Sequence, residues 1–430
     1  MILKKIKIYH ILKLFGYLIA LPIVIIVRII SPILIIRWYC TKSTRIGHYC
    51  DDIHMSLAMK EQKINFLSKR KYIDIFYDRT SVCNKQLQKM WRRSGKIFFL
   101  PNWLMDPINN VCEYLIDPII TSKGLHYLGY YYDPKKLLSN KAVPLNNVDT
   151  FNSIDKTDKP VSFFDSEILE GNNILEKIGI NKNDEYVVLA LRGNDYLKNK
   201  YPNINWTRHS QRHSHRDTNI DYFHKTINVL TNKKLKVILI GSGVPENLSI
   251  NNQNMINYEN SEYKSEFMDI FLFSKNNCKF VISSISGIDS VGLLFHKPIL
   301  EVGVIPFSYA RTFSKYYNFI FKKYYSKTLD RYLTMKEIFE LGLSQISGNE
   351  LTDEIEFIHP NEEEILNSTI ELLNKINNNF ISDVKAKDLQ EKFSKMYKIY
   401  IDKYDPVMTS ENQNGKITES FILSNKYLLN

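Results

Sequence analysis

Arginine is scarce in this chain of 430 residues, so the places where it gathers carry information. Thirteen arginines stand against 44 lysines, and four of the 13 (Arg192, Arg208, Arg212 and Arg216) fall within 25 residues. Three histidines join the last three of them in RHSQRHSHR, 208–216. Such a cluster can hold a metal, grip an anion or form a solvated basic loop. The forked guanidinium suits phosphate oxygens, which makes anion binding the chemistry to follow. Metal binding has less behind it. His209, His213 and His215 include an i, i+4 pair, but the segment reads as loop, with no carboxylate or cysteine in the pattern. Histidine ligands of zinc usually sit on rigid elements backed by further hydrogen bonds. The expectation is no essential metal and no cofactor.

Other positions with chemical potential follow apolar runs. Arg192 comes directly after VVLAL, with Asp195 near enough in sequence to orient it; a surface salt-bridging arginine is the alternative. His215 and Arg216 precede a helix that Asp217, Thr218 or Asn219 can cap, and the start of a helix is a natural anion site. Gly241 and Gly243, in GSG, leave room for a ligand to approach the backbone. Ser286 and Gly287, with Ser283 and Ser284, precede another helix and offer hydroxyl and N–H donors, or serve as a plain serine cap. Further upstream, RIGHYCDD (45–52) supplies Arg45, Gly47, His48, Asp51 and Asp52. His48 can act as a general base toward a hydroxyl, with Asp51 and Asp52 also open for that role; a helix-capping loop is the alternative. No GxSxG elbow, Walker loop or strand-borne GxGxxG occurs. No nucleic-acid module is recognisable, so no nucleic-acid partner is expected.

Elements able to position these residues alternate between strand and helix. Apolar, strand-length runs lie at 32–39, 72–78 and 96–101, with helical patterns at 84–94 and 106–116. After a polar stretch at 138–160, the pattern restarts with strands at 185–191, 236–241, 279–284 and 298–303. Helices fit at 219–232, 265–276, 287–297, 335–342 and 362–375, the last with Asn361 as N-cap. Alternation of this kind predicts an α/β fold of two doubly wound, Rossmann-like domains with parallel sheets. The domains are expected at 32–165 and 166–380, followed by a helical tail, 381–430, that could pack back on the first domain.

Residues 1–31 form a hydrophobic, basic segment. Residues 1–50 carry eight Lys or Arg and no Asp or Glu. The first apolar run, 14–27, stops at Arg28, short of the ~20 residues of a membrane span, and Pro22 is placed to break a helix. An interfacial or re-entrant anchor is therefore expected in preference to a clean span. Hydrophobic content of 44% and charged content of 24% fit a globular chain and not a disordered one. The net charge of +11 suits a membrane surface or a phosphorylated substrate. Five widely spaced cysteines without CxxC indicate reduced thiols and no disulfide framework.

Several of these pieces together resemble a family of bacterial glycosyltransferases of GT-B type. That family is linked to surface-polysaccharide synthesis and is distantly fucosyltransferase-like. The similar segments are RIGHYCDDI (45–53), LRGNDYL (191–197), HSHRDTNIDYFHKTINVL (213–230), 265–300, EIEFIHPNEEEI (354–365) and GKITESFILSNKYLL (415–429). The chain departs from the family pattern after the second strand, where LIGSG (239–243) stands in place of Arg-Met-Gly. The resemblance implies an enzyme at the cytoplasmic face of the bacterial inner membrane, peripheral or monotopic. A nucleotide sugar would be its donor and a lipid-linked glycan or polysaccharide intermediate its acceptor. Arg192, His215 and Arg216 would then meet the donor diphosphate, with Ser286 and Gly287 lining the same site. Arg45 and His48 would lie on the acceptor side. Two other readings remain, a nucleotide-sugar epimerase of the same fold and a non-catalytic membrane-bound scaffold for polysaccharide assembly.

Overall fold

The computed structural model describes residues 2–64, 71–79, 81–116, 130–131, 143–144, 148–193, 216, 218–241, 252–346 and 354–430. The chain folds as two units, Met1–Asn147 with Pro160–Ser162, and Val148–Lys159 with Phe163–Asn430.

The first unit opens with α1, Ile2–Ile30, which stays helical through Pro22 and Arg28. The expected break at Pro22 therefore does not occur. A helix can absorb the lost hydrogen bond when tertiary packing outweighs a cost of about 3 kcal/mol. Here Ala20, Val24 and Val27 bury against Trp38, Tyr77 and residues of α4, Asn102–Ile116. The strands β1 (Leu34–Cys40), β2 (Lys71–Tyr77) and β3 (Phe98–Phe99) form a parallel sheet in that order. Helices α2 (Ile46–Glu61) and α3 (Lys85–Arg93) connect them. Asn84 caps α3 by accepting from Leu87 N–H at 2.8 Å. A short antiparallel pair, β4 (Tyr130–Tyr131) and β5 (Val143–Pro144), completes the described part of the unit.

The second unit is built on seven strands: β6 (Tyr186–Ala190), β7 (Lys236–Ile240), β8 (Met255–Asn257), β9 (Cys278–Ser283), β10 (Ile299–Val304), β11 (Tyr317–Phe321) and β15 (Lys416–Ile417). Their order is β15-β11-β10-β9-β6-β7-β8, and every pairing is parallel. Counted from the β8 edge, that is the third, second, first, fourth, fifth, sixth and seventh strand of the sheet, the doubly wound order of a Rossmann-type domain. β6 is buried along its whole length, as expected of a strand covered on both faces. The covering helices include α5 (Asp165–Lys177), α6 (His224–Asn232), α7 (Met268–Ser274), α8 (Asp289–Leu294), α9 (Met335–Glu340) and α10 (Glu362–Ile376). Asn361 caps α10 through a capping box with Glu364. A small antiparallel sheet, β13-β12-β14, uses Arg331–Tyr332, Lys323–Ser326 and Ile355–Ile358.

Two segments fall elsewhere than the sequence suggested. The tail, α11 (Val384–Tyr404), β15 and α12 (Glu419–Ser424), builds into the core of the second unit. Phe393, Tyr397, Ile401, Ile417 and Phe421 join the same buried cluster as the strands. Residues 148–159, within the polar stretch at 138–160, are also bound to that unit. Asn152 Nδ2 donates to the carbonyls of Phe313 (2.6 Å) and Asn412 (2.9 Å), and Ser314 Oγ donates to Asp155 (2.6 Å).

At the end of β7 the chain turns at Gly241, with φ of +134°, and a Cβ there would stand 1.7 Å from the Leu191 carbonyl oxygen. The strand ends can meet only because that atom is missing. Gly241→Ala is expected to destabilise the protein by about 3 kcal/mol or more in denaturant unfolding.

Candidate functional site

In a sheet of this order the connections leave β6 and β9 in opposite directions, which opens a crevice at their carboxyl ends. Arg192 stands there, two residues past β6. Its backbone N–H donates to Ser284 Oγ at 2.9 Å, while Ser284 N–H donates to the Ala190 carbonyl at 3.1 Å. The two diverging loops are thereby stitched together. Thr218 N–H donates to the Arg192 carbonyl at 3.3 Å, which brings the start of the next connection to the same point.

The turn after β9 has its own internal wiring. Ser283 Oγ donates to Asp289 Oδ2 (2.9 Å) and accepts from Ser286 N–H (3.2 Å). Ile285 adopts φ of +56°, which a β-branched residue avoids unless its surroundings enforce it. Ser283 and Ser284 are buried and spend their hydroxyls on shaping this turn, whereas Ser286 is half-buried and Gly287 is exposed. Asp289 is fully buried and lies 3.2 Å from Arg311 Nη1; Arg311 Nε is 3.3 Å from Glu301. Burial pushes the Asp289 carboxyl up, and the charges of Arg311 and Arg216 oppose that shift. Arg216 also acts on Tyr309. This part of the edge thus brings together Arg216, Arg311 and two buried carboxylates.

The site residues expected from sequence divide three ways. Arg192, Arg216 and Ser286 lie on the carboxyl edge of the sheet. Gly241 lies there too, but its open side is taken by the Leu191 carbonyl, and its N–H donates to Glu259 Oε2 at 2.9 Å. Asp195, His215 and Gly243 fall outside the described residues. Among the described residues no group of three His, Cys, Asp or Glu is placed to hold a metal ion; His209 and His213 are not among them.

Residues that sequence reasoning passed over surround the same edge. His359 Nδ1 is 2.9 Å from the Pro360 carbonyl oxygen, so that nitrogen carries the proton. Its Nε2 then accepts from the Thr218 hydroxyl, also at 2.9 Å. The Tyr222 ring stacks on the imidazole with centroids 4.3 Å apart. Burial, followed by the charge of Lys322, lowers the His359 pKa to about 4, which keeps the ring neutral near pH 7. The His359–Thr218–Arg192 chain fixes the loop from behind. Its partners are 141 residues apart, so no local pattern announces the contact.

In the first unit, the carboxyl ends of β1 and β2 carry a second cluster. His48 lies in the first turn of α2, with Arg45 as its exposed N-cap and Gly47 between them. His48 Nδ1 is 3.8 Å from Asp52 Oδ1, and Lys42 Nζ is 3.4 Å from the same nitrogen. Asp52 is buried and accepts a hydrogen bond from the Tyr39 hydroxyl. Asp51 is also buried, but the carboxylate facing His48 is Asp52. A lysine ammonium can only donate, so Nδ1 is the accepting nitrogen of the neutral ring and Nε2 carries the hydrogen; Asp52 stands at ion-pair distance, beyond hydrogen-bond reach. Alongside, Asp78 accepts from Thr41 Oγ1 (2.9 Å) and Gln88 Nε2 (2.7 Å) and pairs with Arg92 at 3.4 Å.

No protein-family model matches the chain, and no curated protein sequence does. Among solved structures, it is similar to a glycosyl transferase family 9 protein from Veillonella parvula DSM 2008. Identity is 13% and the TM-score 0.41, over 79% of this chain and 97% of that one. A likeness to the iron-containing dodecameric glycosyltransferase TibC from enterotoxigenic E. coli H10407 has 13% identity and a TM-score of 0.29, over 65% and 59% of the two chains. One to S. aureus MnaA, in a co-structure with UDP, has 12% identity and a TM-score of 0.31, over 81% and 98%. At these identities and TM-scores the likenesses assign neither a fold nor an activity to this chain.

The lowered His359 pKa has a pH signature. The unfolded ring takes a proton below about 6.5 and the folded ring only near 4, so its contribution is complete above pH 6.5 and is lost as pH falls toward 4. His296, also lowered to about 4, acts in the same direction. Asp149, raised to about 6, acts oppositely as pH falls from 6 toward 3.8. His359→Gln is expected to flatten the acid loss by on the order of 2 kcal/mol, measured by urea unfolding at pH 7 and pH 4.5.

Proposed function

We propose that the chain is a metal-independent glycosyltransferase of GT-B type. It would transfer a hexosyl or deoxyhexosyl unit from a nucleotide-activated donor to a lipid-linked glycan or surface-polysaccharide intermediate. The observation that carries this reading is the stitched switch point of the second unit, where Arg192 stands at the crevice of a doubly wound sheet. A crevice with this topology is where such sheets take nucleotides. Arg192 and Arg216 supply the fixed positive charge that a diphosphate leaving group requires.

The first unit is read as the acceptor side, with His48 as general base and Asp52 as the carboxylate beside it. His48 would take the acceptor hydroxyl proton as that oxygen attacks the anomeric carbon and the nucleoside diphosphate leaves with the electrons of the broken carbon–oxygen bond. The chain would work at the cytoplasmic face of the bacterial inner membrane, where its lipid-linked acceptor resides.

Arg192→Ala is expected to weaken nucleoside-diphosphate binding by about 2–4 kcal/mol, roughly 30- to 1000-fold, in calorimetry. A thermal-shift panel of nucleotides and nucleotide sugars without any stabilisation would sink the reading. Conversion of the donor with no acceptor present would instead indicate an enzyme acting on the donor itself. His48→Ala should lower turnover by about 10²- to 10⁴-fold with donor affinity retained. Equal loss of both would remove His48 from the role of base.

A further inference from the structure

The helix α1 contains a stretch, Ile11–Ile30, long and apolar enough to cross a membrane, of which 22% is buried. What buries it decides how it can meet a bilayer. Gly16, Ala20, Val24 and Val27 form one stripe, at spacings of four, four and three. A Cβ on Gly16 would stand 2.5 Å from the Trp103 carbonyl oxygen and 2.9 Å from Pro107 Cγ, so α1 and α4 touch backbone to side chain. Ala20, Val24 and Val27 continue onto Trp38 of β1 and Tyr77 at the end of β2. Polar contacts lock the same seam. Lys13 Nζ pairs with Asp106 at 3.5 Å, Asn110 Nδ2 donates to the Tyr17 hydroxyl at 2.6 Å, and Trp38 Nε1 donates to Asn109 at 3.0 Å. The folded body therefore follows the helix from Lys13 to Val27.

The opposite side of α1 carries Leu14, Phe15, Leu18, Leu21, Ile25, Ile26 and Ile29, continued by Ile33 just past the helix. Leu18, Ile29 and Ile33 are 72%, 71% and 80% exposed. Such a continuous apolar face is far larger than the scattered exposed residues of an ordinary surface.

We infer that α1 lies along one leaflet of an anionic bilayer, apolar face down, and does not span it. Spanning would carry α4, with Asp106, Asn109 and Asn110, and the β1–β2–β3 sheet, open-edged among the described residues, into hydrocarbon. Hydrocarbon tolerates neither open sheet edges nor this density of polar groups. Lying flat, the 20 residues cover about 30 Å of membrane surface. Charge selects the lipid. Residues 1–50 hold eight Lys or Arg and no acid, including Lys4, Lys5 and Lys7 in the first turns of α1 and the exposed Arg45. Basic residues at the edge of a buried apolar face attract anionic headgroups. This deepens the membrane association proposed above and is independent of the transferase chemistry.

The test uses the full chain with a tag at each end, expressed in bacteria. Protease added to inverted inner-membrane vesicles should remove both tags, and protease added to intact spheroplasts should remove neither. Tags on opposite sides would overturn the one-leaflet arrangement while leaving membrane association standing; a purely soluble protein would overturn both. In flotation with purified protein, phosphatidylglycerol vesicles should carry it at least tenfold better than phosphatidylcholine vesicles. Leu18→Glu with Ile29→Glu should reduce flotation at least tenfold without changing the melting temperature. Flotation equal to wild type in that variant, or no preference for the anionic lipid, would refute the proposal.

Discussion

Two loops that leave a parallel sheet in opposite directions have no reason of their own to stay together. In the second unit they are tied by a reciprocal pair of hydrogen bonds, Arg192 N–H to the Ser284 hydroxyl and Ser284 N–H to the Ala190 carbonyl. Much of the site geometry depends on this tie. It sets where the Arg192 side chain starts, and it holds the backbone that Thr218 and His359 brace from behind. On the other side of β6, Leu191 N–H bonds the Ile240 carbonyl, and there Gly241 can carry no side chain. The left-handed Ile285 belongs to the same arrangement, a local strain that the surrounding hydrogen bonds enforce.

Strands β6, β7, β9 and β10 were legible because helices cover both faces of the sheet, and such strands read as unbroken apolar runs. β11, YNFIF, escaped notice because an asparagine and flanking tyrosines and lysines blur its run, although it is fully buried. β15 has two residues and no pattern to find; only its register against Asn318 and Phe319 makes it a strand. The helix-breaking tendency of Pro22 is local, whereas tertiary packing against Trp38, Tyr77 and α4 decides its conformation. The tail helix α11 is amphipathic toward a core assembled from distant segments, so its destination could not be read from its own residues.

The candidate sites show the same limit. Arg192 could be found because it directly follows a strand, and strand ends are where such folds bind ligands. His48 could be found too, yet Asp51 and Asp52 stand three and four residues beyond it on a helix, and both spacings bring a side chain near it. The choice between them comes from Tyr39, whose hydroxyl bonds Asp52 from the neighbouring strand. Arg311, Asp289 and Glu301 meet only once β9 and β10 are side by side.

β15 has a consequence for how the protein is made. The β11 edge of the sheet is closed by the segment around Lys416–Ile417, and the strap at 148–159 is secured by Asn412 and Asn414. On a translating ribosome, α1 emerges long before either. The nascent second unit must therefore wait with the β11 edge unpaired and part of its aromatic interior uncovered. Under the one-leaflet arrangement inferred above, the chain would be held at the membrane by α1 throughout that interval, with its second unit still unfinished.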